Sequence, residues 1–187
     1  MIVVVGVPGV GKTLLGVKIA KKLERSFTTI SWIVLEKGLW RSYDWETRSF
    51  VVDENRLAEE LRRYYKSVVE THWLKPFYTV GDMVEQIVFV RCNPLVLLKR
   101  LLRREWPLEK IKENVEAELL GVLVEEVLGM ESRYNIPVVE VVGEGSLEEL
   151  VREVLSGRRK CCIDWISVLG EDEQDKLFST LLSLQRK

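Results

Sequence analysis

The start of the chain carries the feature that most constrains its fold, a glycine-rich loop between a short apolar strand and a helix-forming run. The strand spans residues 2–5, and the loop reads GVPGVGKT over residues 6–13, which fits the pattern G-x-x-x-x-G-K-[ST]. Gly9 and Gly11 let the backbone turn so that successive N–H groups face inward, and the following helix adds the positive end of its dipole. The sequence therefore predicts a strand–loop–helix unit that binds the phosphates of a nucleoside triphosphate.

The fixed positions of this loop have predicted roles. Gly6 and Gly11 are the two glycines that the pattern requires. Lys12 would reach the β and γ phosphates, and the Thr13 hydroxyl would ligate Mg²⁺. The implied cofactors are ATP and Mg²⁺.

Length and charge narrow the class of protein. The 187 residues are 47% hydrophobic, which fits one compact domain, and the net charge of −1 gives no overall field toward nucleic acid or membrane. No apolar run reaches the 18 or so residues of a membrane span, and the short first strand makes a cleaved leader unexpected. Three cysteines without C-x-x-C spacing argue against a disulfide framework and a zinc site. We expect an intracellular, cytoplasmic protein with no membrane partner.

Strands and helices are predicted to alternate, which favours a parallel sheet covered by helices on both faces. Asp53 and Ser146 are the predicted N-caps of two helices. Residues 36–50 are expected to be irregular. The predicted strands after the first are 28–35, 67–70, 87–92 and 136–142, and the predicted helices after the first are 54–66, 94–104, 109–134 and 146–155.

A change of composition at Gly157 predicts a domain boundary. Residues 1–156 would form the phosphate-binding domain, and residues 157–187 a helical tail that follows a basic hinge at 158–160. The tail has apolar residues at helical spacing, with acids first and bases last. Packing on its own domain is the favoured interpretation, and binding to a partner is the alternative.

A basic cluster spans residues 99–104. Arg100 and Arg104 are four residues apart, so on a helix they share a face. A short lid at about 103–113 would close over a triphosphate and bring positive charge to the transferred phosphoryl group. The alternative is a solvated basic face.

Glu70 and His72 lie at the end of the predicted strand 67–70. Because parallel strands end at the same edge of a sheet, Glu70 would lie near the loop and help hold Mg²⁺. His72, the single histidine of the sequence, is either a core residue or a side chain that orients water for hydrolysis. A phosphate acceptor needs no strong base, because it is already largely ionised near neutral pH.

Aromatic residues crowd the stretch where an acceptor pocket is expected, between the second strand and the helix at 54. They would either stack a purine base or form a small core under an irregular loop, and both interpretations stay open. These residues are Trp32, Trp40, Tyr43, Trp45 and Phe50.

Together these segments resemble the CINAP-like adenylate kinases of archaea and eukaryotes, over roughly residues 1–155. The resemblance implies an α/β fold of the P-loop NTPase type, a three-layer sandwich with a five-stranded parallel sheet, a short lid and a monophosphate-binding region at about 29–52. It also implies kinase activity toward AMP and other nucleoside monophosphates, an ATPase activity, and a role in maturing the small ribosomal subunit through contact with a ribosomal protein and the pre-ribosome. The segments that carry it are GVPGVGKT, VVDENRL, VVETH, IVFVRC, RLLRR and KIKENVEAELL.

The resemblance extends to individual residues. Arg104 matches the lid arginine that contacts the nucleotide, Arg100 the arginine one turn earlier, and His72 the histidine of a D-x-H-type motif. The residues that match the phosphate-binding loop are Gly9, Gly11, Lys12, Thr13 and Leu14.

Two positions depart from that family pattern. Glu70 stands where the D-x-H-type motif has Asp, and Leu35 stands near the position of an arginine that grips the monophosphate in some members. The tail after residue 157 has no counterpart in the resemblance.

The main expectation is a kinase that transfers the ATP γ-phosphate to AMP or another nucleoside monophosphate, with Lys12, Arg100, Arg104 and His72 as the candidate catalytic residues. An ATPase switch for ribosome assembly, a non-catalytic nucleotide sensor and a small-metabolite kinase of the shikimate type are the alternatives.

Overall fold

The structure is a computed structural model that describes residues 1–45, 49–104, 106–157 and 161–184. Within them, five strands form one parallel sheet in the order β2-β5-β1-β6-β7, and two strands form an antiparallel hairpin. The strands are β1 (Ile2–Val5), β2 (Phe27–Thr29), β3 (Trp40–Asp44), β4 (Ser49–Val52), β5 (Val68–Thr71), β6 (Gln86–Arg91) and β7 (Val138–Val142).

Helices flank the sheet and complete the predicted three-layer sandwich. They are α1 (Lys12–Lys22), α2 (Ile30–Lys37), α3 (Glu54–Leu61), α4 (Pro94–Leu102), α5 (Leu108–Leu119), α6 (Val122–Tyr134), α7 (Leu147–Leu155), α8 (Trp165–Val168) and α9 (Glu171–Leu184). Helix α1 contacts α7, whereas α5 contacts α4, α6 and α9. The predicted caps are confirmed, because Asp53 and Ser146 accept hydrogen bonds from the amides of Arg56 and Glu149.

The central strand β1 sets the position of the site. Its four residues are buried, as expected for a strand covered on both faces. It lies between β5 and β6, and Val5 is paired with Thr71 on one side and Phe89 on the other. Because the strand order reverses at β1, a crevice forms beyond its carboxyl end, where the glycine-rich loop begins.

The predicted strand at 28–35 is wrong beyond Thr29. The strand ends there, and the Thr29 hydroxyl accepts a hydrogen bond from the amide of Trp32, which starts α2. The run is apolar enough for a buried strand, but its buried members Ile30, Ile33 and Val34 have helical spacing. Gly38, with φ 58°, ends the helix.

The expectation that residues 36–50 are irregular is also wrong for the described residues. Strands β3 and β4 pair in an antiparallel hairpin, with Tyr43 opposite Phe50. Aromatic contacts join the two strands, with ring centroids 5.4 Å apart for Trp40 and Phe50. Residues 46–48, inside the predicted monophosphate-binding region, lie outside the described residues.

The single helix predicted for 109–134 is two helices, α5 and α6. Gly121 separates them with φ 64°, a left-handed conformation that breaks the helical path. The buried apolar residues keep a spacing of four across the break, from Leu119 in α5 to Leu123 in α6.

The tail helix α9 packs on the rest of the chain, as the favoured interpretation predicted. Leu177 and Leu181 are buried, and α9 contacts α4 and α5. Residues 158–160, the predicted basic hinge, lie outside the described residues, and the domain boundary at 156 stays a prediction.

The cysteines differ in environment. Cys161 and Cys162, adjacent in sequence, are paired through their sulfur atoms, although the spacing had argued against a disulfide framework. Cys92 is free and fully buried, and burial raises the pKa of its thiol to about 12. In the described part of the chain, the helices are too short or too polar to cross a bilayer.

Candidate functional site

The glycine-rich loop forms one wall of a cavity of about 250 Å³, which we call the loop cavity. Gly9 and Gly11 have φ of 97° and 108°, so residues with a side chain would be strained there. Helix α1 begins at Lys12, and its first N–H groups lack intrahelical partners. The cavity is lined by Pro8, Gly9, Gly11, Lys12, Thr13, Leu14, Thr29, Ile30, Ser31, Glu70, Thr71, His72 and Arg104.

Lys12 is buried beneath this cavity, with 6% of its side chain exposed. Its ammonium group donates to the carbonyl of Val7 at 3.0 Å and lies 3.8 Å from Glu70 Oε1. Burial lowers the pKa of Lys12 to about 8, against the opposing charge of Glu70. The side chain is therefore still mostly charged at neutral pH and lies where it can meet phosphate oxygens.

Thr13 and Glu70 meet as predicted for a metal site. The Thr13 hydroxyl donates to Glu70 Oε2 at 2.8 Å. Two ligands at right angles around Mg²⁺, each about 2.1 Å from the ion, lie about 3.0 Å apart, so this oxygen pair fits adjacent positions of an octahedron. The longer side chain of Glu70, in place of Asp, contacts Thr13 while staying near Lys12.

His72 follows β5 and lines the loop cavity. Burial lowers the pKa of His72 to about 4, and the charges of Lys12 and Lys110 act in the same direction. The imidazole is therefore neutral at physiological pH. It can accept or donate one hydrogen bond without bringing charge to the cavity.

The two arginines of the predicted lid have different surroundings. Arg104 lines both the loop cavity and a second cavity of about 360 Å³ between the loop and α7. Arg100 instead donates to two backbone carbonyls, to Val10 at 3.3 Å and to Gly143 at 2.8 Å. These bonds join the glycine-rich loop to the turn after β7, so Arg100 is placed to fix the loop, although it also lines the second cavity. Arg104 is exposed, and its guanidinium lies 5.7 Å from the ring centroid of Trp106. The catalytic roles of Arg100 and Arg104 stay predictions.

A third cavity, of about 490 Å³, lies between α2 and the hairpin, and we call it the hairpin cavity. It shares Ile30, Ser31 and His72 with the loop cavity, so the two adjoin. Of the aromatic residues expected at an acceptor pocket, Phe50 lines the hairpin cavity. Phe50 also contacts Trp40 and Tyr43, and Tyr43 contacts Trp45, so these four form a small cluster. Among the described residues its remaining lining is Val34, Leu35, Ser49, Val51, Val52, Glu54 and Trp73, which includes no basic side chain.

Sequence reasoning missed the contribution of α2 to this site. Ile30 and Ser31 were assigned to a strand, which hid their position between the two cavities. Two features of the sequence indicate this helix, the possible cap at Thr29 and the helical spacing of the apolar residues that follow it. Trp73, which also lines the hairpin cavity, was not singled out.

The sequence is similar to a described protein family and to adenylate kinase homologues. The family model described as "AAA domain" matches residues 2–121. The chain is 36% identical over 129 residues to a putative adenylate kinase of Saccharolobus solfataricus, covering 67% of each chain. It is 35% identical over 130 residues to the adenylate kinase isoenzyme 6 homolog of Caenorhabditis elegans, covering 67% of this chain and 70% of that one.

The fold also resembles solved kinase structures. A shikimate kinase from Bacteroides thetaiotaomicron superposes with a TM-score of 0.55 at 18% identity, covering 83% of this chain and 95% of that one. This identity supports likeness of fold alone, and it agrees with the five-stranded parallel sheet. With the family match and the sequence identities above, it leads to one assignment: the chain belongs to the family of putative adenylate kinases and has the P-loop kinase fold.

Proposed function

We propose that this protein is an ATP-dependent nucleoside-monophosphate kinase with AMP as the expected acceptor. The observation that carries the proposal is the shared wall of Ile30, Ser31 and His72 between the loop cavity and the hairpin cavity. A phosphate-binding cavity that opens directly into a second, largely apolar pocket is the arrangement that transfer between two nucleotides requires. The names of the relatives support the same activity.

In the proposed reaction an oxygen of the acceptor monophosphate attacks the γ-phosphorus of ATP. The bond from that phosphorus to the β–γ bridging oxygen breaks, and ADP and a nucleoside diphosphate result. Lys12 and Arg104 would stabilise charge on the transferred group, and Thr13 and Glu70 would hold Mg²⁺, which supplies positive charge to the β and γ phosphate oxygens. No general base is needed, because the acceptor oxygen is already ionised.

The hairpin cavity would hold the acceptor base. Phe50 offers an aromatic face, and the apolar lining residues would exclude water from the base. The acceptor phosphate would lie at the shared wall, where Lys12 and Arg104 are the nearby cations of the loop cavity.

A panel of acceptors tests this proposal. ADP formed from ATP is measured alone and with AMP, CMP, GMP, UMP, shikimate or gluconate. We expect stimulation by at least one nucleoside monophosphate, with AMP first. Stimulation by shikimate or gluconate and by no monophosphate would assign a small-metabolite kinase instead, and no stimulation by any compound would remove the kinase proposal.

Phe50→Ala locates the acceptor within the protein. Loss of one aromatic contact of about 0.5–1.5 kcal/mol should raise the KM for AMP about two- to tenfold and leave the KM for ATP nearly unchanged. Phe178→Ala is the matched control, because Phe178 lies on α9 and is similarly exposed, 46% against 39%. Equal changes in the two KM values would place the acceptor elsewhere.

A hydrolytic activity is the second candidate, and the neutral His72 facing the loop cavity is the observation that favours it. The imidazole could accept a hydrogen bond from an attacking water. His72→Ala should then lower ATP hydrolysis more than phosphate transfer to AMP, whereas equal losses would contradict the water-orienting role. The ribosomal partner implied by the family resemblance stays a prediction, which a pull-down with and without ATP would test.

A further inference from the structure

A buried ionic cluster joins β6, α5 and β7 beneath the site. Arg91 Nε donates to Glu118 at 2.7 Å, and Arg91 Nη1 donates to Glu140 at 3.1 Å. All three side chains are at most 2% exposed. Two carboxylates thus meet one guanidinium in the interior, and buried carboxylates require further hydrogen-bond donors.

The C-terminal segment supplies several of those donors. The indole N–H of Trp165 donates to Glu118 Oε1 at 2.8 Å, and Trp165 is 4% exposed. The amide of Ile163 lies 3.0 Å from both oxygens of Glu140, while the Ile163 carbonyl accepts from Arg91. The cluster is therefore completed by residues far along the chain from the phosphate-binding loop.

The same segment contacts the helices that carry the lid. Helix α4 ends at Leu102 and α5 begins at Leu108, so Arg104 lies in the short connection between them. Helix α9 packs against both helices, with Leu177 and Leu181 buried. Glu118 belongs to α5 itself, and its bond from Trp165 adds to those from Arg91 and from the amide of Cys92 in holding that helix.

We propose that residues 161–184 hold α4 and α5 in the arrangement that places Arg104 at bound nucleotide, and that Trp165 is a positioning residue for Arg104. The inference rests on the nucleotide-binding role of Arg104 given under the proposed function. Trp165 is not among the residues that line the loop cavity or the hairpin cavity, and it acts through Glu118. Packing of residues 161–184 on α4 and α5 therefore favours nucleotide binding, and bound nucleotide favours that packing.

A double-mutant cycle on nucleotide affinity separates this role from a purely structural one. The dissociation constant of a non-hydrolysable ATP analogue is measured for the wild type, Trp165→Phe, Arg104→Ala and the double variant. Phenylalanine keeps an aromatic ring and removes the N–H donor. We expect each single variant to weaken binding about three- to tenfold, as for loss of one ordinary hydrogen bond, and the double variant to be within about twofold of Arg104→Ala.

Full additivity of the two changes would overturn the proposal, because Trp165 would then act independently of Arg104. Ile166→Ala is the control, since Ile166 adjoins Trp165 but is 47% exposed, and it should leave the affinity unchanged. A fall in affinity for Ile166→Ala equal to that for Trp165→Phe would also count against the proposal.

Hydrogen exchange in the wild type keeps the test decisive if Trp165→Phe does not fold. Because coupling is reciprocal, a saturating concentration of the ATP analogue should make the local opening that exposes the Ile163 amide rarer. Hydrogen exchange of this amide should then slow several-fold. The amide of Val88, at the centre of the sheet, reports global unfolding as a reference. Unchanged exchange at Ile163 would overturn the inference. These measurements need no acceptor, so their outcome is independent of whether any monophosphate is phosphorylated.

Discussion

Lys12 and His72 line the same cavity, and burial lowers the pKa of both. For Lys12 the pKa stays near 8, so the ammonium charge needed for phosphate binding is retained at neutral pH. For His72 the pKa falls to about 4, so the charge is lost. The cavity therefore holds one cation and one neutral hydrogen-bonding group, because the two side chains start from different intrinsic values, although Lys12 is buried and His72 is exposed.

Replacing Lys12 should separate stability from function. The pKa of Lys12 is about 8 in the folded state and 10.5 in the unfolded state. Below pH 8 the folded state therefore carries the full free-energy cost of a buried charge. This cost falls as pH rises from 8 to 10.5. Lys12→Met should raise the free energy of unfolding at pH 7 by about 2–3 kcal/mol while lowering phosphate transfer at least about 10²-fold. Urea denaturation and the ADP assay measure the two effects.

Lys18→Met is the matched control for that change. Lys18 is 44% exposed and pairs with Glu148 on the surface, so its replacement should alter stability by less than about 0.5 kcal/mol. A Lys12→Met protein less stable than the wild type at pH 7 would show that burial does not oppose the charge.

His72 should make stability depend on acid pH. The unfolded state takes up a proton near pH 6.5 and the folded state near pH 4, so stability is lost as pH falls between these values. His72 is exposed, so solvent screens part of this effect, and between pH 7 and pH 4.5 the wild type should lose about 1 kcal/mol more than His72→Gln, measured by urea denaturation at both pH values. Equal losses in the two proteins would mean that the imidazole is freely solvated.

At the level of elements, apolar strands and capped helices are predictable from local sequence. Strands β5, β6 and β7 are short apolar runs, and Asp53 and Ser146 cap their helices as their side chains suggest. Helix α2 was mistaken for a strand, because a short apolar run is compatible with either when both are buried. Its helical state is fixed by the cap at Thr29 and by packing of one face.

The break between α5 and α6 predicts the effect of a substitution at Gly121. Its φ of 64° is strained for other residues, and an added Cβ would lie 3.1 Å from Val124 Cγ2. Gly121→Ala should lower the free energy of unfolding by about 1–2 kcal/mol, and Gly121→Asn by less, because asparagine tolerates this conformation better. Thermal and urea unfolding measure the loss.

Gly170→Ala is the control for the change at Gly121. The nearest atom to an added Cβ there is 4.0 Å away, and no left-handed φ applies, so stability should change by less than about 0.5 kcal/mol. Equal effects at the two glycines would contradict the conformational argument.

Across the whole molecule, the cluster around Arg91 ties the sheet, α5 and the C-terminal segment together. Arg91→Met would leave Glu118 and Glu140 buried without their cation, which should cost about 3–5 kcal/mol of stability. Arg63→Met is the control, since Arg63 is 76% exposed in its pair with Glu60. A loss below about 1 kcal/mol for Arg91→Met would mean that the carboxylates find other partners, and urea denaturation would show it.

Local sequence predicts the strand–loop–helix unit and its expected affinity for phosphate, because glycine conformations and helix dipoles act over a few consecutive residues. It also placed Glu70 near Thr13, since parallel strands end at a common edge. The tertiary structure alone shows that α2 lines both the loop cavity and the hairpin cavity, that Arg100 bonds backbone carbonyls while Arg104 lines two cavities, and that Trp165 completes a buried cluster. These features depend on which residues, distant in sequence, come into contact in the folded protein. Local conformational preferences do not determine those contacts.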